Sequence, residues 1–159
     1  MRLGRLHASP ARGREVFAFE YDEAWLQSGN SILFAPQLLL FSGQQFAPLE
    51  QRNYGMVLVS SPDRWGRMLM DRREAQSSRE EGRSIAPLRE SDYLLGVYDG
   101  NRHGGLRFRT EPEGPFRDDN KTFASPPWTS LRDLEFASLQ IEHVYAGNDP
   151  DYDKWLRIL

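Results

Sequence analysis

The stretch from residue 3 to residue 21, LGRLHASPARGREVFAFEY, decides the fold class. Residues 16–21 alternate so that Phe17, Phe19 and Tyr21 share one face of a strand. Residues 3–7 read as a partner strand, and residues 10–13, with Pro10 and Gly13, carry turn chemistry between the two. Strands this close in sequence pair most cheaply in antiparallel fashion. Asp22 then predicts a cap on a short helix over 23–27, stopped at Ser28-Gly29, and residues 37–41 read as a third strand between Pro36 and Gly43. The expectation is an α+β fold: a small antiparallel, partly closed sheet packed with short helices, followed by a linker and a helical extension.

After Pro48 the apolar period changes. Residues 53–59 predict a short helix ending at Ser60-Ser61. Ser61 is the expected N-cap of a longer helix, with Pro62 at its first position and Gly82 closing it after about residue 81. Trp65, Met68, Leu69 and the stem of Arg72 fall on one face of it, whereas the half beyond Arg73 reads as projecting into solvent. Ser91 is expected to cap a helix over 92–98, and residues 105–109 to form a closing strand. Pro112, Gly114, Pro115, Pro126 and Pro127 mark a linker, so the chain divides into 1–110, a Pro-rich linker at 111–129 and the start of a helical region at 130–159. That region opens on a capping-box-like Ser130-Leu131-Arg132-Asp133. Trp155, Leu156, Ile158 and Leu159 leave an apolar cluster at the last residues, which reads as a truncated chain.

With 159 residues, 39% apolar and 12% aromatic, the chain suits one packed domain with or without part of a second. No apolar run reaches the roughly 18 residues of a membrane span, and Arg2 and Arg5 precede no signal-like apolar segment. No cysteine is present, which excludes disulfides, thiolate zinc sites and thiol catalysis and is compatible with a cytoplasmic location. Net charge is −3, with arginines gathered early and carboxylates late, and Lys121 and Lys154 are the only lysines.

No residue pattern selects a catalytic, metal or cofactor site. His7, His103 and His143 are dispersed and lack metal-ligand spacing. Asp149, Asp151 and Asp153 imitate the opening of a calcium loop, but Lys154 stands where glycine is required. Gly100, Gly104 and Gly105 are followed by no Walker lysine and read as turn glycines. Asp118-Asp119-Asn120-Lys121 holds magnesium-binding residue types, but these are crowded into the linker without a phosphate-covering loop. Arg64, Trp65 and Arg67 at a helix start are the candidate partner-binding residues, since Trp and Arg dominate binding hot spots. The wider arginine series, from Arg64 to Arg83, is interleaved with Asp63, Asp71, Glu74, Glu80 and Glu81. That spacing favours a solvated helix face over nucleic-acid contact.

Five strings occur in order: Leu3-Gly4-Arg5-Leu6; Phe19-Glu20-Tyr21 through Trp25-Leu26; Ser61-Pro62-Asp63-Arg64-Trp65-Gly66-Arg67; Tyr93-Leu94-Leu95-Gly96; and Gly104-Gly105-Leu106-Arg107-Phe108. Their order resembles the N-terminal subdomain of the HipA family, serine/threonine kinase toxins of bacterial type II toxin–antitoxin modules. The resemblance covers about residues 1–109. It implies a non-catalytic subdomain acting by protein–protein contact, with the family's kinase core and active site lying C-terminal to this chain. The implied partners are a HipA-like kinase core, in cis or as a separate chain, and a HipB-like DNA-binding antitoxin, with no membrane partner. The alternative it implies is a free-standing HipS-like antitoxin that binds and inhibits a separate HipA-like kinase.

Overall fold

The computed structural model describes residues 1–29, 34–48, 50–117 and 131–143. The fold is α+β, built on a three-stranded antiparallel sheet in the order β1-β2-β3. β1 spans Gly4–Ala11 and β2 spans Arg14–Tyr21, paired residue for residue from Gly4↔Tyr21 to Ala11↔Arg14. Both are longer than the sequence pattern predicts, because the turn between them takes only two residues. Arg12 at φ 49° and Gly13 at φ 80° give the doubly positive backbone whose twist matches a tight hairpin. Pro10 is tolerated in β1 because that strand is a sheet edge.

The central strand β2 buries Phe17, Phe19 and Tyr21 as its alternation predicts, and Ala18 beneath them. Phe19 meets Tyr21 edge to face at 4.9 Å and Tyr54 at 6.4 Å. Ala35, Leu38, Val57 and Leu94 complete this core. α1, Glu23–Gln27, forms as expected, with the Asp22 carboxylate accepting from the Ala24 N–H at 3.0 Å.

The expected third strand at 37–41 does not form; β3 is Gln44–Phe46, three residues on. The cause is Gln45, whose buried side-chain amide accepts from the Leu39 N–H and donates to the Leu39 carbonyl, both at 2.8 Å. A side chain thus supplies the hydrogen bonds a neighbouring strand would have given. Leu38 is fully buried, while Leu39, Leu40 and Phe41 face outward. The sheet stays open among the described residues, with β1 and β3 as separate edges.

α2 is Gly55–Val59 and α3 is Arg64–Glu80. The cap of α3 is Asp63, not Ser61. Asp63 accepts from the Gly66 N–H at 2.8 Å, while the Ser61 hydroxyl turns back to donate to the Val57 carbonyl at 3.0 Å. The second half of α3 does not project freely. The chain folds back past Gly82, and Glu74 gathers Arg83, the Ser78 hydroxyl and the Ala86 N–H, which hold its carboxyl down to about 2.

α4 is Glu90–Leu95, capped at Arg89, whose N–H donates to the Asp92 carboxylate at 2.8 Å. Ser91 does not cap it. Glu15 on β2 accepts from the Ser91 N–H at 2.8 Å and from its hydroxyl at 2.7 Å, tying the hairpin to this helix. A 3-10 turn follows at Asp99–Asn101.

The expected strand at 105–109 is not formed. Its alternation survives, with Leu106 and Phe108 half-buried and Arg107 and Arg109 exposed, and Phe108 packs against the core, but its hydrogen bonds are local. Arg107 donates to Asp99 at 2.6 Å, and the Arg117 N–H donates to the Phe108 carbonyl at 2.7 Å. α5, Leu131–His143, occupies the expected helical region and buries Ala137. Most of the expected linker, the Asp118-Asp119-Asn120-Lys121 string, and the whole segment from 144 onward, with the three tail aspartates and the final apolar cluster, lie outside the described residues.

Candidate functional site

A groove of about 1320 Å³ opens between the tip of the β1–β2 hairpin, the loop after β3, and the starts of α3 and α4. Among the described residues six arginines and five carboxylates line it. Local folding rules bring them there: the two-residue turn carries Arg12 to its tip, the Asp63 cap sets Arg64 in the first turn of α3, and Arg89 is the cap residue of α4.

The floor is an ion-pair and hydrogen-bond network. Arg67 holds Glu90 through two parallel bonds of 2.8 and 2.7 Å, and its guanidinium lies 4.5 Å over the Tyr93 ring. The Glu90 bonds raise the Arg67 pKa further, so this fork stays charged throughout the accessible pH range. Arg52 approaches the same Glu90 at 3.6 Å. The Tyr93 hydroxyl donates to Asp71 at 2.6 Å, which pushes Tyr93 up to about 12.

Four of the five carboxylates are therefore engaged within the protein: Glu15 by Ser91, Asp63 by Gly66, Asp71 by Tyr93 and Glu90 by Arg67. Among the described residues Glu50 has no such partner. On the cationic side Arg67 and Arg52 share Glu90, and Arg14 is also engaged. The guanidinium groups of Arg12, Arg64 and Arg89 make no hydrogen bond, ion pair or ring contact among the described residues, and all three residues are exposed.

Of the residues singled out from sequence, Arg64 and Arg67 both reach the groove, in different roles: Arg64 is open and Arg67 is held internally. Trp65 is half-buried and belongs to neither the groove lining nor the principal core cluster. Arg12 and Arg89 were not legible as site residues. The only trace in the sequence is an Ala-Arg-Gly turn where Asn-Gly would be the relaxed choice. Among the described residues no group of His, Asp or Glu is arranged to hold a metal ion. His7 lies 3.4 Å from Glu20 across the hairpin, and the His103 carbonyl accepts from the Ser60 hydroxyl at 3.1 Å, far apart in the chain and on different elements. No helix in the described residues is long and apolar enough to cross a membrane.

No family model, curated protein or solved structure matches this chain.

Proposed function

We propose that this chain is a non-catalytic protein-binding module whose partner is a HipA-like serine/threonine kinase core. The core either continues the same polypeptide or stands as a separate chain, as it would for a HipS-like antitoxin. The ordered strings from Leu3 to Phe108 support the family reading. The observation that carries the binding role is the groove rimmed by the open arginines Arg12, Arg64 and Arg89, beside a half-buried tryptophan at the start of α3. Arg and Trp at a partly covered surface are the residue types that anchor protein interfaces.

The test uses the whole chain and a HipA-like kinase core lacking its own N-terminal subdomain, titrated by calorimetry. Saturable binding is expected. Trp65→Ala should weaken it by about 2 kcal/mol, roughly thirtyfold, with the melting temperature of the free chain unchanged. Absence of binding overturns the partner assignment. A collapsed melt for Trp65→Ala, on the scale of about 3–5 kcal/mol lost on emptying a core position, returns Trp65 to a packing role.

A further inference from the structure

The groove is nearly balanced in formal charge but unbalanced in hydrogen-bonding capacity. Four of its five carboxylates already accept a bond from within, whereas three guanidinium forks on its rim await acceptors. A guanidinium pairs with a carboxylate through parallel N–H···O bonds, the strongest recognition available to it. The three forks come from three separate elements, a turn, a helix start and a helix cap, so they surround the groove rather than converge on one point. Between them the half-buried side chains of Val16, Met68 and Leu88 offer apolar contact, and Pro10, Pro48 and Pro62 stiffen the rim.

We propose that this groove binds an extended acidic peptide segment of the partner, pairing its carboxylates with Arg12, Arg64 and Arg89 and laying apolar side chains on Val16, Met68 and Leu88. The inference rests on the protein-binding reading above and adds the chemistry of the segment that is bound. A small single anion would leave most of the space unfilled, since small-molecule sites occupy about 300–1,000 Å³. A nucleic-acid strand carries a phosphate at every step and would have to pass Glu50 and Glu90 as well as the arginines. A peptide can space its carboxylates to meet the three forks alone.

Arg12 supplies a second line of support. It sits at φ 49°, a left-handed backbone in which asparagine or glycine is the relaxed choice. Strain kept at a surface turn, by a side chain that does nothing for the fold, is the pattern seen where a residue is retained for contact with a ligand.

The experiment is fluorescence anisotropy on the full chain with three labelled probes. One is a short peptide alternating glutamate with leucine and proline, the second has glutamine at every glutamate, and the third is oligothymidylate. The glutamate peptide should bind about tenfold or more tightly than the glutamine peptide, the combined scale of three solvent-facing ion pairs, and the difference should shrink with added salt. The triple variant Arg12→Gln, Arg64→Gln, Arg89→Gln should abolish that preference with an unchanged melt, because none of the three side chains is bonded within the described residues. Equal binding of the two peptides, a preference that survives the triple substitution, or tighter binding of oligothymidylate overturns the proposal. Kinase-core binding untouched by the triple substitution overturns the groove while leaving the partner reading intact. Loss of the kinase core as partner, with the glutamate preference retained, leaves the groove chemistry standing.

Discussion

Tyr93 shows how one side chain can report on the groove without any partner being known. Its hydroxyl donates to Asp71, and its ring lies under Arg67. The acceptor stabilises the protonated phenol, hence the rise from 10.0 to about 12. The folded state therefore holds this proton more tightly than the unfolded state. The associated stabilisation is complete below pH 10 and is lost as pH climbs from 10 through about 12. Burial also raises Tyr21 and Tyr54, so ultraviolet titration should show several late-ionising phenols, and Tyr93→Phe should remove one of them; a Tyr93 that ionises at the ordinary value would mean the Asp71 bond is not formed in solution. Nothing in the sequence signals this pair, because Asp71 and Tyr93 lie on different helices and meet only once α3 and α4 pack.

At the scale of elements, what could be read from sequence was what is decided locally. The alternation of residues 16–21 and the Asp22 cap of α1 depend on neighbours in the chain, and both appear as expected. Three expectations failed for a shared reason: the deciding partner is not a neighbour in sequence, or is of an unexpected kind. Ser91 carries a capping residue type, but Glu15 claims it from the hairpin. Residues 105–109 have strand alternation but join no sheet edge among the described residues. Residues 37–41 have an apolar run, yet the Gln45 amide takes the main chain of Leu39. That last substitution of side chain for ladder gives a sharp test. Gln45→Ala removes both bonds and leaves the Leu39 N–H unmatched, its carbonyl still accepting from the Phe41 N–H, at a cost of about 1–3 kcal/mol. Amide exchange over residues 38–41 should accelerate more than exchange in β2. Unchanged exchange there would show that the loop is held by its apolar contacts alone.

For the molecule as a whole, the helices and the irregular segment after α4 are joined at Arg102. Its buried guanidinium donates to the carbonyls of Ser60, Leu94 and Val97 at 2.9, 2.7 and 2.9 Å, and lies 5.0 Å over the Phe108 ring. It thus collects the end of α2, the end of α4 and the segment beyond. Arg102→Met keeps the stem but strands three carbonyls, and should cost about 3–5 kcal/mol, the scale of breaking a buried charged interaction. Denaturant unfolding measures it; a loss under about 1 kcal/mol would mean that water replaces the guanidinium at little cost. The groove was illegible from sequence for a related reason. Arg12, Arg64 and Arg89 are three scattered residues among 18 arginines, and only the assembled hairpin and helices make them one rim.

The bond between Glu15 and Ser91 joins residues 76 positions apart. On a ribosome adding roughly 5–20 residues per second, the acceptor emerges about 4–15 s before its donor is even made. The β-hairpin closes in microseconds, so for all that interval it waits with its carboxylate open to water and its groove wall missing. The arginine rim thus cannot take shape before α4, and a nascent chain cannot present it to a partner until α4 has been translated.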